Sequence, residues 1–282
     1  MTTSISKQGK TEPFEFQVGK GDVGYHTIVH VFGYNADADS AAEETVWPPG
    51  TAIPYLASPV TMKVSSSSAV DVNTSGTGAW TVFITGINNN GEEASETVAL
   101  NGQTAVNTTK TYSFIQSVTV LAVGTGGANA GNIYVGTGTV TAGVPAVIHG
   151  FAGLGENNSL TGAWQCPTGH TAYVTYGSIS SGTENGANFI AGRLKLMGSD
   201  GVQRTAAIVT FANGLYPFDF TFPVKINAGE RVTATVKSTA DNEACSSYFQ
   251  IVLVEDTPYC TLLSAHRLGI RSTRPLLLTL RT

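Results

Sequence analysis

From Ser58 to Val254 apolar and polar residues alternate in short runs, each closed by glycine, asparagine or proline, and no stretch repeats apolar residues at a helical period. In the run 80–85, Trp80, Val82 and Ile84 fall on one face and Thr81, Phe83 and Thr85 on the other. Phe218, Phe220, Phe222, Val224 and Ile226 alternate with Asp219, Thr221, Pro223 and Lys225, and Arg231–Lys237 repeats the pattern. Asn88–Gly91, Asn101-Gly102 and Gly198–Gly201 supply the residues that tight hairpins need. A strand that alternates has one face to bury, so strands at intervals of about 8 to 12 residues with no helices between them predict antiparallel sheets packed in pairs. The expected fold is therefore all-β: two antiparallel β-sandwich, jelly-roll-like domains.

Composition agrees. Charged residues make up 12% of the 282-residue chain, about half the roughly 25% usual for a soluble domain. Val and Thr, which lose side-chain freedom in helices, are abundant, and there are 32 glycines.

Residues 1–57 read differently. Between Gly33 and Pro59 lie Trp47, Pro48, Pro49, Gly50 and Pro54; proline fixes φ and removes ladder donors, so this segment is expected to be an extended N-terminal arm. Phe32, Trp47 and Tyr55, spaced along it, are the candidate partner-binding residues. The first sandwich is placed at 58–143 and the second at 144–257, where Phe218, Phe220 and Phe222 supply core and a candidate contact between copies. Residues 258–282 carry Arg267, Arg271, Arg274 and Arg281 with no acidic residue, and form a basic tail expected to be loosely attached or to dock on an acidic surface.

Reactive constellations are not evident. The net charge of −5 gives no footprint for nucleic acid. No run of 18 apolar residues exists to cross a membrane as a helix, and Met1–Lys10 lacks the apolar core of a secretory signal, so a protein made without secretion is expected. Cys166, Cys245 and Cys260 match no metal or redox spacing. His26 and His30 have the spacing of a helical zinc face, but Thr27–Phe32 reads as a strand. Asp37, Asp39, Glu43 and Glu44 lack the glycine of a calcium loop, Ala42 standing in its place. Gly124–Gly131 resembles a phosphate loop in glycine content only. No metal, cofactor or catalytic residue is expected, and the chain is read as non-enzymatic.

Three segments carry a resemblance: Ile28–Gly33 with Trp47, Asp71–Gly86 leading to Val98–Gly102, and Asn129–Ile133. Together with Cys166–Gly169 and Pro223–Gly229 they resemble a family of virion structural proteins of tailed bacteriophages, common in marine and cyanobacterial viruses, over about residues 25 to 256. The resemblance implies a capsid decoration or cement protein that binds the major capsid protein, with homotrimers fitting threefold shell positions. It also allows a head fibre, and the alternative reading is a tail-fibre component or adhesin that binds a host surface glycan. No nucleic-acid or membrane partner comes with it.

Overall fold

The structure, a computed structural model, describes residues 4–5, 11–54, 56, 58–182, 188–198, 200–212 and 214–256. In chain order, β1 (Ser4–Ile5), β2 (Thr11–Glu12) and a short helix α1 (Phe14–Gly19) precede β3 (His26–Ala38) and β4 (Glu44–Thr45). Then come β5 (Val60–Ser66), β6 (Ala79–Ile87), β7 (Glu93–Ala99), β8 (Val106–Tyr112), β9 (Phe114–Val123), β10 (Ile133–Thr141) and β11 (Val144–Ala152). The remainder are β12 (Ala163–Gln165), β13 (His170–Ser181), β14 (Ile190–Met197), β15 (Gln203–Phe211), β16 (Gly214–Ile226), β17 (Arg231–Ser238) and β18 (Glu243–Glu255). The protein is all-β, and its sheets are antiparallel throughout.

Two pairs of sheets each close on their own core. In the first half, β8-β5-β10-β11 and β7-β6-β9 enclose Met62, Val64, Val82, Ile84, Leu100, Ile115, Val118 and Ile133. In the second, β16-β13-β18-β3 and β15-β14-β17-β12 enclose Val31, Val174, Ile190, Leu194, Val236, Phe249 and Ile251, with β4 pairing beside β12 on β17. The alternation read in β6 is the cause: Val82 and Ile84 are fully buried while Thr81, Phe83 and Thr85 face out.

Six strands of each half share one order, while β12 and β4 beside β17 have no counterpart strand in the first half. Matching β5 to β13, β6 to β14, and so on through β10 to β18, places each of the six beside the equivalent neighbours. One position differs in origin. The last strand of the first half, β11, follows β10 through a two-residue turn, whereas the equivalent place beside β18 is taken by β3 from the N-terminus.

This corrects two expectations. Residues 26–38 are not part of an extended arm, because β3 pairs with β18 from His26↔Val254 to Ala38↔Glu243 and sends Val31 and Ala38 into the second core. Residues 144–152 belong with the first half, because β11 pairs with β10 from Thr141↔Val144 to Ile133↔Ala152. The change of core falls between Ala152 and Trp164.

Trp47 is likewise structural. It is 0% exposed, packed on Tyr134, Phe151, Ile53 and Ile148, and its indole Nε1 donates to the Thr51 carbonyl at 2.6 Å. The preceding residue, Val46, sits in the second core and bonds through its backbone to Ala234 and Gly162. Adjacent residues thus enter opposite halves, and the proline-rich segment straps the two together. A cation–π contact adds to the junction, with the Arg231 guanidinium 4.0 Å from the Phe114 ring centroid.

The glycine-rich loop 124–131 is organised around one buried carboxylate. Asp71 accepts hydrogen bonds from Ser66 Oγ (2.5 Å), Ala79 N (2.6 Å), Ala130 N (2.8 Å) and Gly131 N (2.9 Å). Gly78 is obligatory beside it, because a Cβ there would lie 2.0 Å from Asp71 Oδ1. Replacing Asp71 by alanine strands the buried backbone donors of Gly131 and Ala79 and the half-buried one of Ala130, so Asp71→Ala is expected to cost about 3–5 kcal/mol, read as a shift of the urea midpoint. A chain beginning at residue 58 lacks β3, Val46 and Trp47; it is expected to lose the cooperative melting of the second core.

Candidate functional site

The clearest clustering of exposed aromatic side chains lies on the outer face of β3, β18 and β13. Residues 30, 32 and 34 alternate with Val29, Val31 and Gly33, so once the valines turn inward the others must face out. Phe32, 49% exposed, lies 5.1 Å from the Tyr248 ring and 6.4 Å from His30, and Tyr248 lies 5.9 Å from Tyr176. The Tyr248 hydroxyl bonds His30 Nδ1 at 2.9 Å. Burial, then the neighbouring Tyr176, pushes the Tyr248 hydroxyl above its ordinary range, so that hydroxyl stays protonated at neutral pH. Tyr34, 40% exposed, extends it along β3.

Of the residues expected on the arm, Phe32 is therefore exposed and available, Trp47 is enclosed within the chain and cannot reach a partner, and Tyr55 lies outside the described residues. The surface also includes His30, Tyr34, Tyr176 and Tyr248, which alternation alone could not single out. Their meeting depends on β3 pairing with a strand more than 200 residues away.

The three phenylalanines of β16 part company. Phe218 is buried in the second core, Phe220 packs partly against it with the two rings stacked at 6.1 Å, and Phe222 is 86% exposed. Their strict alternation predicted one shared face. The ladder breaks it: Tyr176 pairs with Asp219 and Val174 with Val224, so residues 220–223 bulge out opposite Thr175. Leu215 and Tyr216 are also exposed on this strand.

The two halves treat this edge differently. In the first, Glu96 of β7 ties β7 to β8, accepting from Thr109 N at 2.8 Å, Lys110 N at 3.1 Å and the Tyr112 hydroxyl at 3.0 Å. In the second, the equivalent strands β15 and β16 carry Phe211 and Tyr216, stacked at 6.4 Å and partly open to solvent. Prolines 217 and 223 of β16 remove donors from that edge, which limits further strand pairing there.

A cleft of about 360 Å³ lies between the halves. Its floor is the outer face of β7-β6-β9, with Phe83, Thr85, Ser95 and Ser117; one wall is Val29–Phe32 of β3, and Asn158–Trp164 closes it. Gln116 stands at a β-bulge in β9, and its Oε1 is buried with no hydrogen-bond partner among the described residues.

The reactive groups weighed from the sequence are dispersed. His26 Nδ1 meets the Gly24 carbonyl and His30 meets Tyr248, and four strand residues separate the two by about 13 Å. No group of three His, Cys, Asp or Glu converges for a metal among the described residues. Of the acidic run, Glu44 accepts from Asn35 at 2.8 Å, while Glu43 binds Lys195 Nζ and Thr235 Oγ1, both at 2.5 Å. Burial, first, and nearby carboxylates push the Cys166 and Cys245 thiols up to about 12, which leaves them protonated and inert as nucleophiles. Cys260 lies outside the described residues.

No family model and no curated protein matches the chain. Among solved structures, it is similar to the infectious bursal disease virus VP2 subviral particle protein, at 12% identity and TM-score 0.24 over 84% of this chain and 74% of that one. The infectious bursal disease virus Gx strain structure matches at 12% identity and TM-score 0.25 over 83% and 73%. At TM-scores this low the likeness carries no weight in assigning fold or function.

Glu43 and Glu96 determine an acid response. Burial alone would raise both carboxyls, but hydrogen bonds from Lys195 and Thr235 at Glu43, and from Thr109 and Lys110 at Glu96, hold them below the ordinary 4.5. A carboxyl that titrates lower folded than unfolded stabilises fully above the unfolded value, and the contribution is lost as pH falls through the folded one. Urea midpoints measured from about pH 6 to about pH 3 are expected to fall, and more gently in Glu43→Gln/Glu96→Gln, which starts lower.

Proposed function

We propose that the protein is a non-enzymatic structural component of a tailed-bacteriophage virion, a decoration or cement protein that binds the shell of major capsid protein as a trimer. Each pair of sheets is read as one β-sandwich of jelly-roll-like type. The observation that carries the proposal is the apolar surface of the second half: Phe222, Leu215 and Tyr216 on β16, and Phe32 and Tyr34 on β3, stand in water in the isolated chain. Burying such surface against a neighbour is worth roughly 25 cal/mol per Å², and many copies acting together turn modest contacts into a stable shell. The sequence resemblance points the same way. The attachment surface moves, however, from the arm as a whole to Phe32 and its neighbours.

The test is co-sedimentation of the purified full chain with empty shells. Saturable binding at high copy number is expected, and Phe32→Ser and Phe222→Ser should each weaken it at least tenfold with unchanged thermal melting. Shells that take up no protein, or variants that bind like the parent, would sink the proposal. Few copies, located at the tail and displaced from host cells by free glycan, would favour the adhesin reading instead.

A further inference from the structure

β3 ends its sheet, and only part of its outer edge is in use. The Tyr25 carbonyl accepts from Glu255 N on the β18 side, whereas Tyr34 N donates to the Leu160 carbonyl on the other side. No irregularity interrupts the ladder between residues 26 and 34, so the period of two turns the N–H and C=O groups of His30 and Phe32 toward the free side, into the cleft. No strand among the described residues pairs with them.

The chain already uses the neighbouring part of this slot. In the connection from β11 to β12, Asn157 O accepts from Val120 N at 2.8 Å and Ser159 N donates to Val118 O at 2.9 Å, both on β9. Leu160 O then takes Tyr34 N of β3 at 3.2 Å before the chain turns away into β12. An extended segment between the two sheet edges is thus an arrangement this molecule makes, and the cleft is its unfilled continuation. Gln116 Oε1, buried there without a partner, offers an acceptor to whatever enters.

We propose that the cleft is a strand-docking slot and that its occupant is the chain's own C-terminal segment, residues 257–282. The lining holds Glu93 and neither Lys nor Arg, while the segment has four arginines and no acidic residue. Leu276, Leu278 and Leu280 alternate with Leu277 and Thr279, which suits a strand laying one apolar face on Phe83 and Ala94. The described chain ends at Asp256, held by Gly169 O and Thr171 Oγ1 on the β13 side of β18. From there the free edge of β3 is two strand spacings away, about 10 Å. The residues between Asp256 and Leu276 span up to about 65 Å extended, so the reach is ample.

Amide hydrogen exchange on the full chain tests this. The N–H groups of His30 and Phe32 are expected to be protected at least 100-fold over the free-peptide rate. In the full chain carrying Leu276→Asp, Leu278→Asp and Leu280→Asp they should lose that protection, while Val29 and Val31, which face β18, keep theirs. Free exchange at His30 and Phe32 in the parent chain, or protection that survives the triple substitution, overturns the proposal. Protection that disappears on dilution also overturns it, because the occupant is then a second copy.

Discussion

The second half of the molecule depends on one long-range contact, the pairing of β3 with β18. Without it the sheet β16-β13-β18 would end at a bare edge, and the second core would lose Val31 and Ala38 together with the Val46 that follows them. Backbone groups at such an edge must bond to something, and apolar side chains beside it would stand in water. Closing it with a strand from the far end of the chain solves both problems at the cost of a large loop. It also ties the N-terminus, the strap and both halves into one cooperative object.

That solution shapes the outer surface. Once Val29 and Val31 point inward, His30, Phe32 and Tyr34 have to point outward, where they meet Tyr176 and Tyr248 of the adjoining strands. The same strand leaves part of its other edge unpaired above the outer face of β7-β6-β9, which creates the cleft. Core, aromatic patch and cleft are therefore three consequences of one strand placement. The contrast between the two halves is informative in the same way. A carboxylate, Glu96, seals the β7–β8 edge of the first, and aromatic rings line the equivalent edge of the second.

Much of this was legible from residue pattern. The alternation around Trp80–Thr85 and Arg231–Lys237, and the Asn-Gly turns, gave strands where strands are found, because side-chain period and turn chemistry are local properties. Proline density speaks to backbone extension and not to what an extended segment packs against, so it does not reveal that Trp47 is enclosed within the chain. Alternation assigns the β16 phenylalanines to one face, but a bulge is set by how many residues the partner strand offers, and Thr175 stands alone opposite four. Asp71 carried no local signal at all. Its role comes from four donors drawn from three separate segments.

By itself the sequence determined the all-β class, the positions of most strands and turns, and the lack of any recognisable reactive motif, since each follows from neighbours within a few residues. Only the tertiary structure decided which core each strand joined, that β3 completes the second half and β11 the first, and which aromatics remain outside. Those outcomes rest on hydrogen bonds and packing between residues up to 200 positions or more apart, and no local pattern encodes which of several compatible edges a strand will take.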